Sequence, residues 1–381
     1  MANGSNKGVT LADVRSGKKS FVIDGTTTSP DIKALQTALQ NYGFYIHAHE
    51  PTGTYLDGTA AAVRGFQNCV MGISSPTGVV DKTTFQRLES YIGMTIMIDS
   101  TSVIPPIVNV RNGLNYFQNG NTGAAIKTIR TTLKNKGYSI TESNSFDATM
   151  VSVVKQFQKD NGLTANGLVN QATLAVLEDA VSDTGWVSGT TVRLTAGKLA
   201  RCGFKKIYLR PGFVGELNAY LSKNLAQNGA KTKLQIRHFL AQAYVESFYG
   251  DMLTESSYYQ GVGNNKSYSP YCGAGCIQIT GIGNYTAYQT YLKSNSQITD
   301  PHITEPAAYA TQYVAYRYSV RASVWYWTCQ KRNGKTCFEC VENGGSDNEA
   351  IVKAIYGVIN PKGPDYLPRW EAYQKIAGIL K

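Results

Sequence analysis

Apolar residues recur at helical spacing in two stretches of the chain, and the second stretch repeats the first. Within each stretch the apolar positions lie three, four or seven residues apart, which is typical of helices with one buried face. Each copy predicts a helix, a glycine-ended turn, a second helix, a glycine loop and a short third helix. The matching positions are Ile32, Leu35, Leu39, Gly43, Phe44, Asp57, Val63, Phe66, Gln67, Gly72, Gly78, Thr84 and Leu88 in the first copy, and Ile126, Ile129, Leu133, Gly137, Tyr138, Asp147, Val153, Phe157, Gln158, Gly162, Gly167, Thr173 and Leu177 in the second.

The segments around the repeats lack this pattern and indicate the domain boundaries. The stretch around Pro105 and Pro106 is apolar and β-branched, which favours extended backbone over helix. A Ser/Gly/Thr-rich stretch after the second copy predicts a short linker. The predicted segments are an N-terminal arm (1–28), a first module (29–98), a linker (99–114), a second module (115–181), a second linker (182–191) and a larger domain (192–381).

Each repeat is only about 60 to 70 residues long, so most of its apolar side chains are needed for a core. We therefore assign Phe66, Phe157 and Leu133 to the core rather than to a binding surface. His47 and His49 lie in a polar loop without a carboxylate-rich ligand set, and we predict no metal there. The repeats resemble the small three-helix peptidoglycan-binding domain, which implies bacterial peptidoglycan as a partner.

The larger domain contains two carboxylates in different surroundings. Residues 236–243 predict a helix with an apolar face, and Glu246 falls on that face. Burial there is expected to raise the pKa of its carboxyl group, which suits a general acid. We expect the helix to end near Gly250. Glu255 follows in a more polar turn, where a carboxylate stays ionised and can act as a base.

Two motifs around these carboxylates resemble the active-site region of glycoside hydrolase family 19, the chitinases, and of related phage endolysins. The family's first motif is roughly F-x-A-Q-x-x-H-E-S with a second glutamate beyond it, and the second is roughly G-R-G-x-I-Q-L-T-G-x-x-N-Y. This chain departs from them at Val245 and Ala274, where the family has His and Arg. The matching residues are Phe239, Ala241, Gln242, Glu246, Ser247, Glu255, Tyr259, Gly273, Gly275, Ile277, Gln278, Thr280, Gly281, Asn284 and Tyr285.

The resemblance implies an α-helical, lysozyme-like hydrolase that inverts the sugar carbon and needs neither cofactor nor metal. It assigns Glu246 as the acid, Glu255 as the base and Thr280 as the residue that holds the attacking water. If the segment around Gln278 is extended, its side chain shares a face with Thr280. The candidate substrate-binding residues are Gln278, Asn284, Tyr259 and Arg369.

Three further expectations concern this domain. Gly273 and Gly275 are expected to let the backbone approach the substrate closely. Residues 300–328 predict a turn and one long amphipathic helix, with Trp325 and Trp327 as core residues. A late arginine in the family orients both carboxylates, and Arg369 is the nearest match.

The net charge is +11, and residues from 196 onward carry 21 Lys/Arg against 12 Asp/Glu. A basic cluster between Lys198 and Arg210 lies at the start of the larger domain. A basic surface attracts polyanions, and anionic bacterial walls fit as well as nucleic acid does. Together with the repeats this favours the wall, and we expect no nucleic-acid partner.

Cysteine content and hydropathy bear on the compartment. Seven cysteines, an odd number, argue against a full disulfide framework, and Cys329, Cys337 and Cys340 supply only three of four zinc ligands. No apolar run is long enough to span a membrane, and no signal-peptide core is visible. We expect a monomer without stable membrane association, made in a host cytoplasm and acting on the wall after release.

The sequence predicts a mainly α protein and leaves three alternative functions open. The first is a muramidase of the phage endolysin type, which cleaves the β-1,4 glycan of peptidoglycan. The second is a chitinase, which the repeats at the front disfavour. The third is a catalytically inactive wall-binding or virion structural protein. Retention of Glu246, Glu255 and Thr280 favours an enzyme, whereas loss of the motif His and Arg keeps the third function open.

Overall fold

The computed structural model describes residues 5–46, 48, 50–98, 104–179, 185–255, 268–360 and 365–381. His47, His49 and Tyr259, which the sequence analysis considered, lie outside the described residues. The described part is mainly α-helical, as predicted, with seventeen α-helices and a single two-stranded sheet. No helix in it is long and apolar enough to cross a membrane. The chain forms two compact units, comprising 1–67, 75–180 and 195–211 in the first, and 68–74, 181–194 and 212–381 in the second.

The first unit contains both repeats, and each repeat folds as three helices, as predicted. Apolar faces of these helices form the cores, where Phe66 and Phe157 are almost completely buried. The helices are α1 (Leu11–Ser16), α2 (Pro30–Asn41), α3 (Asp57–Cys69), α4 (Lys82–Ile92), α5 (Ile107–Arg111), α6 (Ala124–Asn135), α7 (Ala148–Asp160), α8 (Gln171–Glu178) and α9 (Ala196–Arg201).

A buried glutamine in the second helix of each repeat holds the glycine loop to the third helix. In the second repeat, the Gln158 side-chain amide donates to the Leu168 carbonyl at 2.8 Å and to the Thr173 hydroxyl at 3.0 Å. Its oxygen accepts from the Gly167 N–H at 2.8 Å. Gln67 makes the same bonds in the first repeat, to Val79, Thr84 and Gly78. The repeated Gln, Gly and Thr positions are therefore one hydrogen-bonded unit.

Two segments of the first unit correct the sequence predictions. Residues 5–28 are not a free arm, because α1 buries Leu11 and Val14 and packs on α4. Residues 107–111 of the predicted extended linker form a helix that begins directly after Pro106. Proline restricts the residue before it rather than the residues after it, and its fixed φ suits a helix start.

Residues 195–211, which the sequence analysis assigned to the larger domain, pack within the first unit. Helix α9 packs on α8, and Lys198 is fully buried. The Arg210 guanidinium lies so close to Gly43 that a Cβ at that glycine would be 1.8 Å from its nitrogen. The basic cluster therefore belongs to the unit that carries the repeats.

The second unit consists of eight α-helices, a hairpin and loops in the described residues. The predicted linker is in part this hairpin, formed by β1 (Val187–Ser188) and β2 (Thr191–Val192). It forms here because Trp186 is fully buried and its Nε1 donates to the Lys381 carbonyl at 3.1 Å. The helices are α10 (Phe213–Asn224), α11 (Gly229–Glu246), α12 (Ile282–Ser296), α13 (Ala307–Arg317), α14 (Ser319–Cys329), α15 (Cys337–Glu342), α16 (Asn348–Ile359) and α17 (Leu367–Ile379).

Residues 300–328 begin with the predicted turn, a 3-10 turn at Pro301–Ile303, but the predicted single helix is two helices, α13 and α14, which separate at Tyr318. The Ser319 carbonyl at the start of α14 accepts from the Cys276 N–H at 3.2 Å. Trp325 and Trp327 are buried, as predicted. Trp327 donates to Gln235 at 3.1 Å, which ties α14 to the middle of α11.

Substitution of Gln158 by Leu should lower the free energy of unfolding of the first unit by about 2–4 kcal/mol, because several buried partners lose their hydrogen bonds. Gln156→Leu, at an exposed position on the same helix, is the control and should change it by under about 0.5 kcal/mol. Chemical denaturation gives both values, and amide exchange at Gly167 should accelerate only in the Gln158 variant. Equal losses in the two variants would contradict the assigned role of Gln158.

Candidate active site

Helix α11 ends at Glu246, four residues before the predicted end. Phe248 and Tyr249 follow with φ of 50° and 64°, in the left-handed region that non-glycine residues seldom occupy. The Ser247 hydroxyl accepts from the Gly250 N–H at 2.9 Å and stabilises this turn. The turn places Glu246 at the open end of the helix and leaves Phe248 about two-fifths exposed beside it.

Glu246 forms an ion pair with Arg369 of α17. The Arg369 side chain is 8% exposed and that of Glu246 is 14% exposed, so the pair is largely removed from water. The Arg369 guanidinium also lies over the Tyr356 ring, 4.7 Å from its centroid. Only Oε1 of Glu246 contacts Arg369, and no other described residue bonds to Oε2. The structure therefore shows contact of Arg369 with one of the two carboxylates that it was expected to orient, and Arg369 is not among the described residues that line the cavity.

The same two helices meet again two turns earlier along α11, where His238 stacks on Tyr373 with ring centroids 4.2 Å apart. His238 is fully buried, and burial lowers its pKa to about 3. The imidazole is therefore neutral at neutral pH and acts in packing. Together the stack and the ion pair fix α11 against α17.

Glu255 is held by the segment that carries the second motif. Its backbone N–H donates to the Gly273 carbonyl at 2.8 Å, next to a bridge between Thr254 and Ala274. Its carboxylate accepts from the Tyr268 hydroxyl at 2.8 Å and from the Gly273 N–H at 3.0 Å. Both donors stabilise the ionised carboxylate.

Gln278 lies in a turn and not in the extended segment that the sequence predicted. Its φ is 55°, and its side-chain amide donates to the Gly275 carbonyl at 3.0 Å. The turn closes where Ala274 and Ile279 exchange backbone hydrogen bonds. The Thr280 hydroxyl donates to the Gln278 carbonyl at 2.8 Å, so the turn fixes the Thr280 side chain.

The two glycines of this motif make room for the protein itself, which corrects the expectation that they admit substrate. A Cβ on Gly273 would lie 2.5 Å from Oε1 of Gln278. A Cβ on Gly275 would lie 2.8 Å from the Ser319 carbonyl oxygen, at the separation between α13 and α14. Both glycines are therefore explained by close packing behind the turn.

Glu246, Glu255, Gln278 and Thr280 line one cavity of about 520 Å³. Asn284 is not among the described residues of its wall; the amide donates to the Thr280 carbonyl at 2.8 Å and supports that residue. Of the other lining residues only Ile277 belongs to the motifs, and Tyr268 carries no spacing signal because its contact depends on the bridge between distant segments. These lining residues are Val245, Phe248, Met252, Thr254, Tyr268, Ile277, Ile359 and Asn360.

Among the described residues, no cluster of three or more His, Cys, Asp or Glu side chains is placed to hold a metal ion. Cys337 and Cys340 are buried in α15. Burial raises the pKa of the Cys337 thiol well above its usual value, which disfavours the thiolate that a metal requires.

Replacing Arg369 by Gln should lower the free energy of unfolding of the second unit by about 3 kcal/mol, because it leaves Glu246 uncompensated in a largely buried position. Adding Glu246→Gln should recover part of this loss, and the double-mutant cycle should give a coupling of about 1–3 kcal/mol. Arg332→Gln, at an exposed position on the same unit, is the control. Strictly additive losses for the two substitutions would contradict a direct interaction.

Comparisons with known proteins agree with the assignment of the repeats. The family model described as "Putative peptidoglycan binding domain" matches residues 28–88 and 122–177. These ranges cover α2, α3 and most of α4 in the first repeat, and α6, α7 and all but the last residue of α8 in the second. No curated protein matches the chain in sequence. The chain therefore contains two peptidoglycan-binding domains, which relate it to the bacterial cell wall.

Proposed function

We propose that this protein is a peptidoglycan hydrolase of the endolysin type that cleaves the β-1,4 glycan as an inverting muramidase. The observation that carries the proposal is that Glu246 and Glu255 line the same cavity with different supports. Glu246 is held through one oxygen by a guanidinium, and Glu255 accepts two hydrogen bonds. Inverting glycosidases use two carboxyl groups about 6.5–9.5 Å apart, one as general acid and the other as general base.

In the proposed reaction Glu246 is the general acid. Arg369 holds Oε1, so the proton is donated from Oε2 to the oxygen of the glycosidic bond. That bond breaks with its electron pair moving to the leaving sugar, while water attacks the sugar carbon from the opposite face. Glu255 accepts a proton from this water, and the carbon inverts. The two carboxyl groups exchange protons with solvent before the next turnover.

Thr280 is suited to hold the attacking water. Its hydroxyl hydrogen is used in the bond to the Gln278 carbonyl, which leaves the oxygen lone pairs as acceptors. A water that donates one hydrogen to Thr280 and the other to Glu255 keeps a lone pair for the sugar carbon. Asn284 supports this arrangement through the Thr280 carbonyl.

The two peptidoglycan-binding domains suit this activity, because tethering an active site to its polymer raises the local substrate concentration. The basic cluster of residues 198–210 lies in the unit that carries those domains, and its exposed Lys205 adds to the positive charge that an anionic wall would meet. In this proposal the protein is made in the host cytoplasm and reaches the wall upon release.

Glu246→Gln should reduce the release of reducing ends from purified peptidoglycan by at least about a hundredfold, because the proton donor is lost. Glu371→Gln, the same change at an exposed position of α17, should retain full activity. Circular dichroism and sedimentation of bound walls verify folding and wall binding in both variants.

Chitin tested in parallel separates the two polymers, and we expect faster cleavage of peptidoglycan. Undiminished hydrolysis by the Glu246 variant would refute the acid assignment. Wall binding without any reducing-end release by the wild-type protein would instead favour a non-catalytic wall-binding role.

A further inference from the structure

The first unit contains a second cavity, of about 380 Å³, where the two peptidoglycan-binding domains face one another. Its walls come from the first two turns of α2, from residues 113–116 and from the start of α8, together with Met97. Its volume falls within the range of about 300–1,000 Å³ that is typical of small-molecule sites. Neither repeat forms this cavity alone.

The relative position of the two domains is fixed by direct contacts, so the cavity is preformed. The Asn41 side chain of α2 donates to the Gly113 carbonyl at 2.8 Å. Arg111 of α5 makes a two-pronged ion pair with Glu178 of α8, at 3.0 and 2.7 Å. A preformed cavity costs little ordering entropy when a ligand binds.

The polar groups that face the cavity are mainly donors. Lys33 lines the cavity, is exposed, and forms no ion pair with any described residue. Asn115 is nine-tenths buried; its Oδ1 accepts from Asn109, and its Nδ2 has no acceptor within the described ranges. Oδ1 of Asn170 caps α8 by accepting from the Thr173 N–H, which leaves the amide nitrogen as a donor. Gln171 contributes a further side-chain amide to the wall.

No carboxylate is among the described residues of the wall, whereas Ala34, Leu114 and Met97 supply apolar surface. One cation, several amide donors and small apolar patches match a ligand with a carboxylate, peptide carbonyls and methyl groups. A peptide of small residues ending in a carboxylate has this chemistry. A bare glycan, which has no charge, would leave Lys33 without a counterion.

We propose that this inter-domain cavity binds the carboxylate-bearing stem peptide of peptidoglycan. Lys33 binds the carboxylate, and the amides of Asn115 and Gln171 bind peptide carbonyls. The proposal rests on wall binding by the two domains and is independent of glycan cleavage. It also distinguishes the repeats, because Lys127 occupies the position of Lys33 in α6 but does not line the cavity.

Isothermal titration of the full chain with a soluble disaccharide-peptide fragment tests the proposal. Lys33→Gln should weaken binding by about tenfold, the worth of one charge-assisted hydrogen bond. Lys127→Gln, the same change at the matching exposed position, should leave the affinity unchanged. Gln171→Glu should also weaken binding, because the new carboxylate repels the carboxylate of the ligand. This substitution should not destabilise α8, since a negative charge in the first turn of a helix is favourable.

Two further ligands test whether the cavity binds the carboxylate of the peptide. The same fragment with its carboxylates amidated should bind as weakly to the wild-type protein as the original fragment binds to Lys33→Gln. A peptide-free N-acetylglucosamine oligomer should show no dependence on Lys33. Equal effects of the two lysine substitutions, or tight Lys33-dependent binding of the peptide-free oligomer, would overturn the proposal. The titrations measure binding and not cleavage, so these results would stand even if the hydrolase assignment failed.

Discussion

The proposed chemistry depends first on the ion pair between Glu246 and Arg369. An arginine that is 8% exposed needs a partner, and Glu246 at the end of α11 supplies it. The pair fixes the relative position of α11 and α17, with the His238–Tyr373 stack as a second contact two turns away. The carboxyl group at the cavity is therefore oriented by the same contact that joins the two helices.

The part of the cavity wall that carries Glu255 and Thr280 is built differently. Glu255 and Thr280 lie on loops, which are held by backbone bonds among Thr254, Gly273, Ala274 and Ile279. The turn carrying Gln278 packs against the separation between α13 and α14, where a Cβ at Gly275 would meet backbone and a Cβ at Gly273 would displace the Gln278 side chain. One carboxylate thus depends on helix packing and the other on a tightly folded turn, which gives them different electrostatic surroundings.

The sequence allowed the mainly α fold and both repeats to be predicted, because apolar spacing and buried residues such as Gln158 and Gly167 are local signals. The shared placement of Glu246, Glu255, Thr280 and Gln278 also followed from motif resemblance. The features that the sequence did not predict depend on contacts between distant residues. The hairpin forms where Trp186 meets the end of the chain, and residues 195–211 pack on α8. Such contacts have no periodicity, and neither Tyr268 nor the cavity beside Lys33 was predictable from spacing.

In the proposed mechanism Glu255 activates a water and does not itself attack the sugar. Proton NMR of soluble, uncrosslinked glycan strands during the first minutes of cleavage reads the configuration of the new reducing end directly. If Glu255 acts as the base, the α-anomer should appear first and then equilibrate to the mixture of α- and β-anomers, because a single displacement inverts a β-linkage. Initial appearance of the β-anomer would mean net retention and would contradict the proposed mechanism.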